Sequence, residues 1–306
     1  WKSYADQLQI LKNRGLQVAD EDSARSDLER IGYYCLSGYW YPFRQLKVQP
    51  VGYSYREDDF VEDSNFDDVV SLYIFDKNLR LLALDALERI ERAIRVDIAY
   101  LLGQRDSFAH YKPAQFHGNF GRRVNNNGRT EHAFWLEHYN KLKYRNRRVP
   151  FVAHNVQKFG RLPIWIAIEI LDFGALSRLF AGMKHLDKDT IAAKYGLVNG
   201  LQLQQWLRSL NFVRNVAAHH SRMWNMNMVE VSPVPQFNAN WRSLNNHRPF
   251  MYFCIVQLLM KTIATKSEWS SRFKKLVLSF PEPSNGALSG TDFGLINGWE
   301  TWQLWQ

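Results

Sequence analysis

Along most of the chain the hydrophobic positions return at three- and four-residue steps, the period of helices rather than strands. Ser3 to Gly15 reads as a short amphipathic helix, with Leu8 and Leu11 on one side and Gly15 as the stop. A second helix begins near Asp22 and Ser23 and carries Leu28 and Ile31. It leads into the aromatic run Gly32 to Phe43, which predicts a packed corner between an N-terminal helical unit and the main body. Gln45 to Asp63 is polar and irregular, an expected loop with room for a short hairpin, and acidic residues gather from Glu57 to Asp68. A long helix is predicted over Phe66 to Gly103, where Ala83, Leu87, Ile90, Ile94, Ile98 and Leu101 share a face. On it, Glu88 with Arg92 and Glu91 with Arg95 form i,i+4 pairs with the acid leading, the favourable order.

The periodicity breaks from Arg105 to Arg129, and Asn125 to Gly128 predicts a turn. Helical spacing resumes over Glu131 to Lys143 and overlaps the basic run Lys141, Lys143, Arg145, Arg147, Arg148. Pro163 is placed to start a helix from Ile164 to Met183, with Trp165, Glu169 and Phe173 in it. A short helix over Asp187 to Tyr195 and a longer one from Gly200 to about Trp224 follow. After Pro233 and Pro235, Pro249 opens a final apolar helix to about Thr265. The tail from Phe280 is irregular and ends with Trp299, Trp302 and Trp305. Strand signals are few, so the expected class is all-α. Three segments are expected: 1–62 as helical unit and aromatic corner, 63–268 as helical core, and 269–306 as a tail packing on that core.

Composition narrows the partners. At 306 residues and 46% hydrophobic, the chain can bury a substantial core. A net charge of +9 favours polyanions, nucleic acid first and anionic membrane second. Cys35 and Cys254 lie far apart with no CxxC spacing, which fits a reducing, cytoplasmic setting and no thiolate metal site. No apolar run approaches the ~20 residues that cross a bilayer. No secretory leader is read, and Trp1 in place of Met suggests a start further upstream. His110, His117, His132, His138 and His154 are scattered, without HExxH or Cys/His spacing, and no Walker, Rossmann or GxSxG pattern occurs. Neither metal nor cofactor is therefore expected. The 11 Trp, 14 Tyr and 19 Phe suit a core, and some could stack on unpaired bases.

The run Arg214-Asn215-Val216-Ala217-Ala218-His219-His220 concentrates the candidate chemistry. On a helical wheel Trp206, Leu210, Val213, Ala217 and His220 form a mostly apolar stripe that should face the core. Asn215, Ala218, His219 and Arg222 lie opposite, and Arg214 sits on the flank. His219 is thus expected at solvent or at a second protein surface, and His220 inside. RNA carries its own nucleophile, the 2′-hydroxyl. Its cleavage needs a base, an acid for the leaving oxygen, and cations for the added phosphate charge. Histidine, with an unperturbed pKa of about 6.5, serves as acid or base. Arginine stays charged and grips phosphate with a planar fork. Asparagine can orient either. One helix offers one such set, and a two-fold dimer would bring two sets around one phosphate. On spacing alone, an arginine and a histidine five apart on a helix are ordinary decoration of a solvated face.

The run resembles the signature of HEPN ribonucleases. The wider pattern resembles abortive-infection (Abi) proteins of the AbiD/AbiF type. That likeness rests on Gly32 to Phe43, Glu88 to Arg95, Pro163-Ile164-Trp165 to Glu169, Asp172 to Ser177, and the Trp302 to Trp305 region. It implies a HEPN-type helical bundle with an N-terminal extension, a dimer-built site and metal-independent RNA cleavage in bacterial antiphage defence. It also implies restraint by a small structured RNA. By the same likeness Arg214 and His219 are the catalytic pair and Asn215 the supporting polar residue. Glu91 and Arg95 are expected either as a structural ion pair or as electrostatic support, and His220 as a supporting residue. Lys141, Lys143, Arg145, Arg147, Arg148 and Arg222 are the expected RNA contacts, with Tyr139 and Tyr144 as stacking positions. Arg122, Arg123 and Arg129 around the Asn-rich loop offer a second contact. Two alternatives stay open: a non-catalytic structured-RNA-binding module, and a protein scaffold without nucleic acid.

Overall fold

The computed structural model describes residues 1–49, 52 and 54–306. Of the segment expected as an irregular loop, positions 50, 51 and 53 lie outside the described residues. In order, the α-helices are α1 Tyr4–Asn13, α2 Glu21–Arg30, α3 Tyr33–Trp40, α4 Phe66–Arg105, α5 Gly118–Gly121, α6 Glu131–Arg145, α7 Pro150–Phe159, α8 Ile164–Ala167, α9 Phe173–Gly182, α10 His185–Lys194, α11 Gly200–Ala218, α12 Ala239–Arg242, α13 Pro249–Ile263, α14 Trp269–Leu278 and α15 Gly290–Phe293. Strands β1 Arg44–Lys47 and β2 Tyr55–Phe60 pair antiparallel, with Leu46 opposite Arg56, and form the short hairpin. The class is all-α, as the periodicity predicts.

Helix α4 is the axis of the molecule. Asn65 caps its start by accepting the Asp68 N–H at 2.7 Å. Its 40 residues extend about 60 Å at 1.5 Å per residue. Its buried stripe includes Ala83, Leu87, Ile90, Ile94 and Ile98, as the spacing predicts, but Leu101 is only half-buried and Leu102 is buried in its place. Helices α3, α8, α11, α13 and α14 pack along it. One continuous core runs from Leu8 to Trp305, so the N-terminal unit and the C-terminal tail share the hydrophobic interior of the central helices. The tail's aromatics enter it directly: Trp305 stacks on Phe273 at 4.7 Å, and Trp299 meets Phe250 edge-on at 5.6 Å.

Three helix boundaries differ from the expectation. The helix expected over Ile164 to Met183 is interrupted at 168–172. There the Arg95 guanidinium donates to the Glu169 carbonyl at 3.2 Å and to the Leu171 carbonyl at 2.7 Å. Those are the acceptors that a continuous helix would give to residues 173 and 175. Asp172 then turns extended and caps α9, accepting the Ala175 N–H at 2.7 Å. A tertiary arginine thus outcompetes local helical hydrogen bonding. The apolar helix opened by Pro249 ends at Ile263 and is not the last, since α14 follows and its Trp269 donates to the Leu82 carbonyl at 2.8 Å. The third difference, in α11, shapes the site.

Candidate functional site

Helix α11 begins at an Asn199 cap, whose side chain accepts the Gln202 N–H, and it ends at Ala218 rather than near Trp224. The ending is a Schellman motif: His220 N–H donates to Ala217 O at 3.3 Å and Ser221 N–H to Val216 O at 3.0 Å. The left-handed position of that motif, usually glycine, is His220, with φ of 57°. The cost of this conformation for a residue with a Cβ is about 1–2 kcal/mol. It also corrects the wheel. His220 does not face the core; it is exposed, because the helical path that would have turned it inward stops two residues earlier. Trp206, Leu210, Val213 and Ala217 are buried as expected.

The motif residues lie at the solvent edge of this helix end. Arg214 and Asn215 are half-buried and His219 is exposed. The Arg214 guanidinium reaches the Asn215 side-chain oxygen at 3.4 Å and has no carboxylate partner among the described residues. Neither the His219 nor the His220 ring has a hydrogen-bond partner among them.

Just past this edge the chain is tied down tightly. Arg222, expected as an RNA contact, donates to the Gly38 carbonyl of α3, so it braces the aromatic corner against the motif loop. Asp76 on α4 is fully buried and accepts the N–H groups of Met223 at 3.0 Å and Trp224 at 2.7 Å. It also accepts the Tyr39 hydroxyl at 2.7 Å and pairs with buried Arg80. Met223 lies 147 residues from Asp76 and Arg222 lies 184 from Gly38, so nothing local announces these two contacts, whereas Arg80 is one turn from Asp76.

On the other flank, Asp172 and Gly174 place the helices. Asp172 accepts from His138 of α6 at 3.0 Å. Partial burial alone would raise the Asp172 carboxyl, but the Ala175 N–H and His138 hold it below the usual range. A Cβ on Gly174 would sit 3.6 Å from the Asn211 amide of α11. Farther along, the Trp135 indole of α6 donates to the Ala175 carbonyl at 2.9 Å. Helix α9 therefore lies between α6 and α11, and both run antiparallel to it toward the end that holds His219. Glu91 pairs with Arg95, and that arginine anchors the 169–171 connector; together they set where α9 starts.

The basic run lies toward the same end of α6 and is unevenly committed. Lys141 pairs with Glu137 at 2.9 Å, Lys143 sits over the Tyr139 ring at 5.8 Å, and Arg147 stacks on exposed Tyr144 at 3.9 Å. Arg145 and Arg148 are exposed with no ion pair among the described residues. Tyr139 is fully buried, which removes it from stacking on a ligand, whereas Tyr144 is 66% exposed. Of the second cluster, Arg129 pairs with Glu137 and covers the Phe134 ring, and Arg122 and Arg123 stay exposed.

The middle-third histidines form a different kind of site. His110 is wholly buried among Tyr111, Trp135 and Tyr139, and neither ring nitrogen has a partner. Burial pushes its pKa down to about 3, so it is neutral in the fold. His132 donates from Nε2 to the His110 carbonyl at 2.9 Å, and burial also pushes its pKa down. No group of three His, Cys, Asp or Glu side chains converges among the described residues as metal ligands would. No described helix is long and apolar enough to cross a membrane.

A helical bundle that presents an unpaired arginine and an unpartnered histidine at one helix end is the class that fold and site define. The chain matches the model of the Abi-like protein family over residues 26–225 and belongs to that family. Membership connects it with abortive infection. The matched span runs from α2 to just beyond the motif loop, and so includes α4, α9 and α11. No curated protein and no solved structure matches the chain.

Proposed function

We propose that the protein is a HEPN-type endoribonuclease of the AbiD/AbiF kind, acting without metal in bacterial antiphage defence and restrained by a bound structured RNA. One observation carries this reading: at the open end of α11 a guanidinium without a carboxylate and an imidazole without a hydrogen bond among the described residues stand five residues apart, about one and a half turns. Such groups cost stability or nothing in the free protein and become useful only against a ligand. The RNA 2′-hydroxyl attacks its own phosphorus as His219 takes or gives the proton. Arg214 carries the charge that builds on the phosphate oxygens, and Asn215 fixes the guanidinium through the contact already present. A matching subunit supplies the second histidine, so that base and acid are both present in a homodimer. The net charge of +9 draws the polyanion in.

The test is scission of an end-labelled RNA by the purified protein, with products ending in a 2′,3′-cyclic phosphate and a 5′-hydroxyl. His219→Ala should lower the rate at least about 100-fold with the thermal melt unchanged. Cleavage that persists in this variant and that EDTA abolishes in the wild type would overturn the mechanism. Tight RNA binding with no scission in any preparation would leave the rival, a structured-RNA-binding module.

A further inference from the structure

Beyond the catalytic edge, the exposed side of α11 continues as a polar stripe. Gln204, Arg208, Asn211, Asn215 and His219 advance by 4, 3, 4 and 4 residues, which keeps them on one face. Between this face and α9 lies an open cleft of about 540 Å³, lined by Gly174, Ser177, Arg178, Gln204, Arg208 and Asn211. It adjoins a second hollow of about 280 Å³ through the shared Arg178, Ala181 and Gln204. From Arg208 to His219 the distance along the helix is about 17 Å.

The residues lining the cleft include two arginines and no carboxylate. Arg178 is exposed and has no ion pair among the described residues, and the Asn211 amide has no hydrogen-bond partner among them. Arg208 pairs at its rim with Glu230. A third cation lies beneath the wall. Lys188 is 3% exposed, and its ammonium is held by two neutral oxygens that belong to cleft-lining residues, Gln204 at 2.8 Å and Ala181 at 3.4 Å. Gly200 makes this possible, because a Cβ there would fall 2.2 Å from the Lys188 Cβ. This ammonium has no carboxylate bonded to it, with Asp189 acting on it only at longer range, so it adds positive potential beneath the cleft wall. Burial also lowers its pKa, which an anion in the cleft would offset. The second hollow is lined by half-buried His117 and Phe134 over the buried Phe120 and Trp135, with Glu131 as its acid. His117 accepts the Phe120 N–H at Nδ1 and so donates from Nε2 to Ala181, a neutral ring suited to contact with a base.

We propose that the α9–α11 cleft is the track of a single RNA strand leading to the catalytic edge, with Arg178 and Arg208 on its phosphates, the Gln204 and Asn211 amides on its polar edges, and the aromatic hollow at the far end taking a base. This placement rests on the ribonuclease reading for its direction, and the test separates the two. The His219→Ala protein, which leaves RNA intact, is titrated with a fluorescent single-stranded 12-mer over a range of salt. Arg178→Gln should weaken binding about tenfold and lower the slope of log K against log salt by about 1. Lys275→Gln, at an exposed lysine of α14, is the charge-matched control and should change neither. Thermal melts of both variants confirm the fold. An unchanged slope for Arg178→Gln, an equal loss for Lys275→Gln, or competition by inorganic polyphosphate as strong as that of RNA would overturn the track. None of these results depends on whether the wild type cuts RNA, which the His219 test decides alone.

Discussion

Arg80 and Arg214 sit on helices that pack together, and they are finished in opposite ways. Arg80 is 4% exposed and closes a node with Asp76 and Tyr39, in which every charge meets its opposite and Asp76 also accepts two backbone N–H groups. Arg214, nine residues before Met223 in the chain, has only the side-chain oxygen of Asn215 among the described residues. The first arrangement fixes the chain immediately after the motif; the second leaves the motif itself unfinished. A site that has to accept a phosphate needs both, a rigid frame and donors that the frame does not consume.

The comparison can be broken most severely at the node. Asp76→Ala strands the buried Arg80 guanidinium and frees the Met223 and Trp224 amides. Removing one partner of a buried pair costs about 3–5 kcal/mol. Urea unfolding should show a loss of that size, and a loss below about 1 kcal/mol would mean that the node does not hold the fold.

Histidine sharpens the contrast at a smaller scale. His110 is kept neutral by burial, with its folded pKa pushed down to about 3 against about 6.5 in the unfolded chain. A depressed folded pKa contributes stability that is present above pH 6.5 and is lost as pH falls toward 3, since the unfolded state binds the proton first. Between pH 7 and pH 5 this one group should cost about 2 kcal/mol. His110→Phe, which fills the same aromatic pocket, should flatten stability across that window. An equally steep profile in the variant would place the acid sensitivity elsewhere.

The smallest expected effect lies at the motif's own end. His220 occupies a left-handed position where glycine is relaxed, so His220→Gly should stabilise the protein by about 1 kcal/mol in thermal unfolding. If the exposed imidazole also serves RNA, the same variant loses cleavage while gaining stability, the trade expected of strain kept for function. Gain of stability with full activity would reduce His220 to a cap.

Much of this was readable in the chain. The core stripe of α4, the start of α11 at Gly200, the hairpin and the all-α class follow from spacing and from turn residues. The polar face of α11 was equally readable: the steps from Gln204 through Arg208 and Asn211 to Asn215 and His219 are regular, and a wheel begun one turn earlier exposes them. What failed, failed for one reason. The break at 168–172 comes from Arg95, more than seventy residues upstream, which takes carbonyls that local helix would use. A helical wheel turns His220 inward only if the helix continues past Ala218, and the bond from Arg222 to the Gly38 carbonyl is a long-range contact that no local pattern announces.

The sequence by itself determined which residues prefer helix, which faces are apolar, and that a guanidinium, an amide and an imidazole sit within two turns near the end of α11, because period and side-chain chemistry are local properties. Only the tertiary structure decided where that helix stops, which of the thirty-nine basic side chains are already spoken for, and that a cleft with a buried lysine beneath it adjoins the motif face. Those outcomes depend on pairings between segments remote in the chain, whose energies no stretch of sequence contains alone.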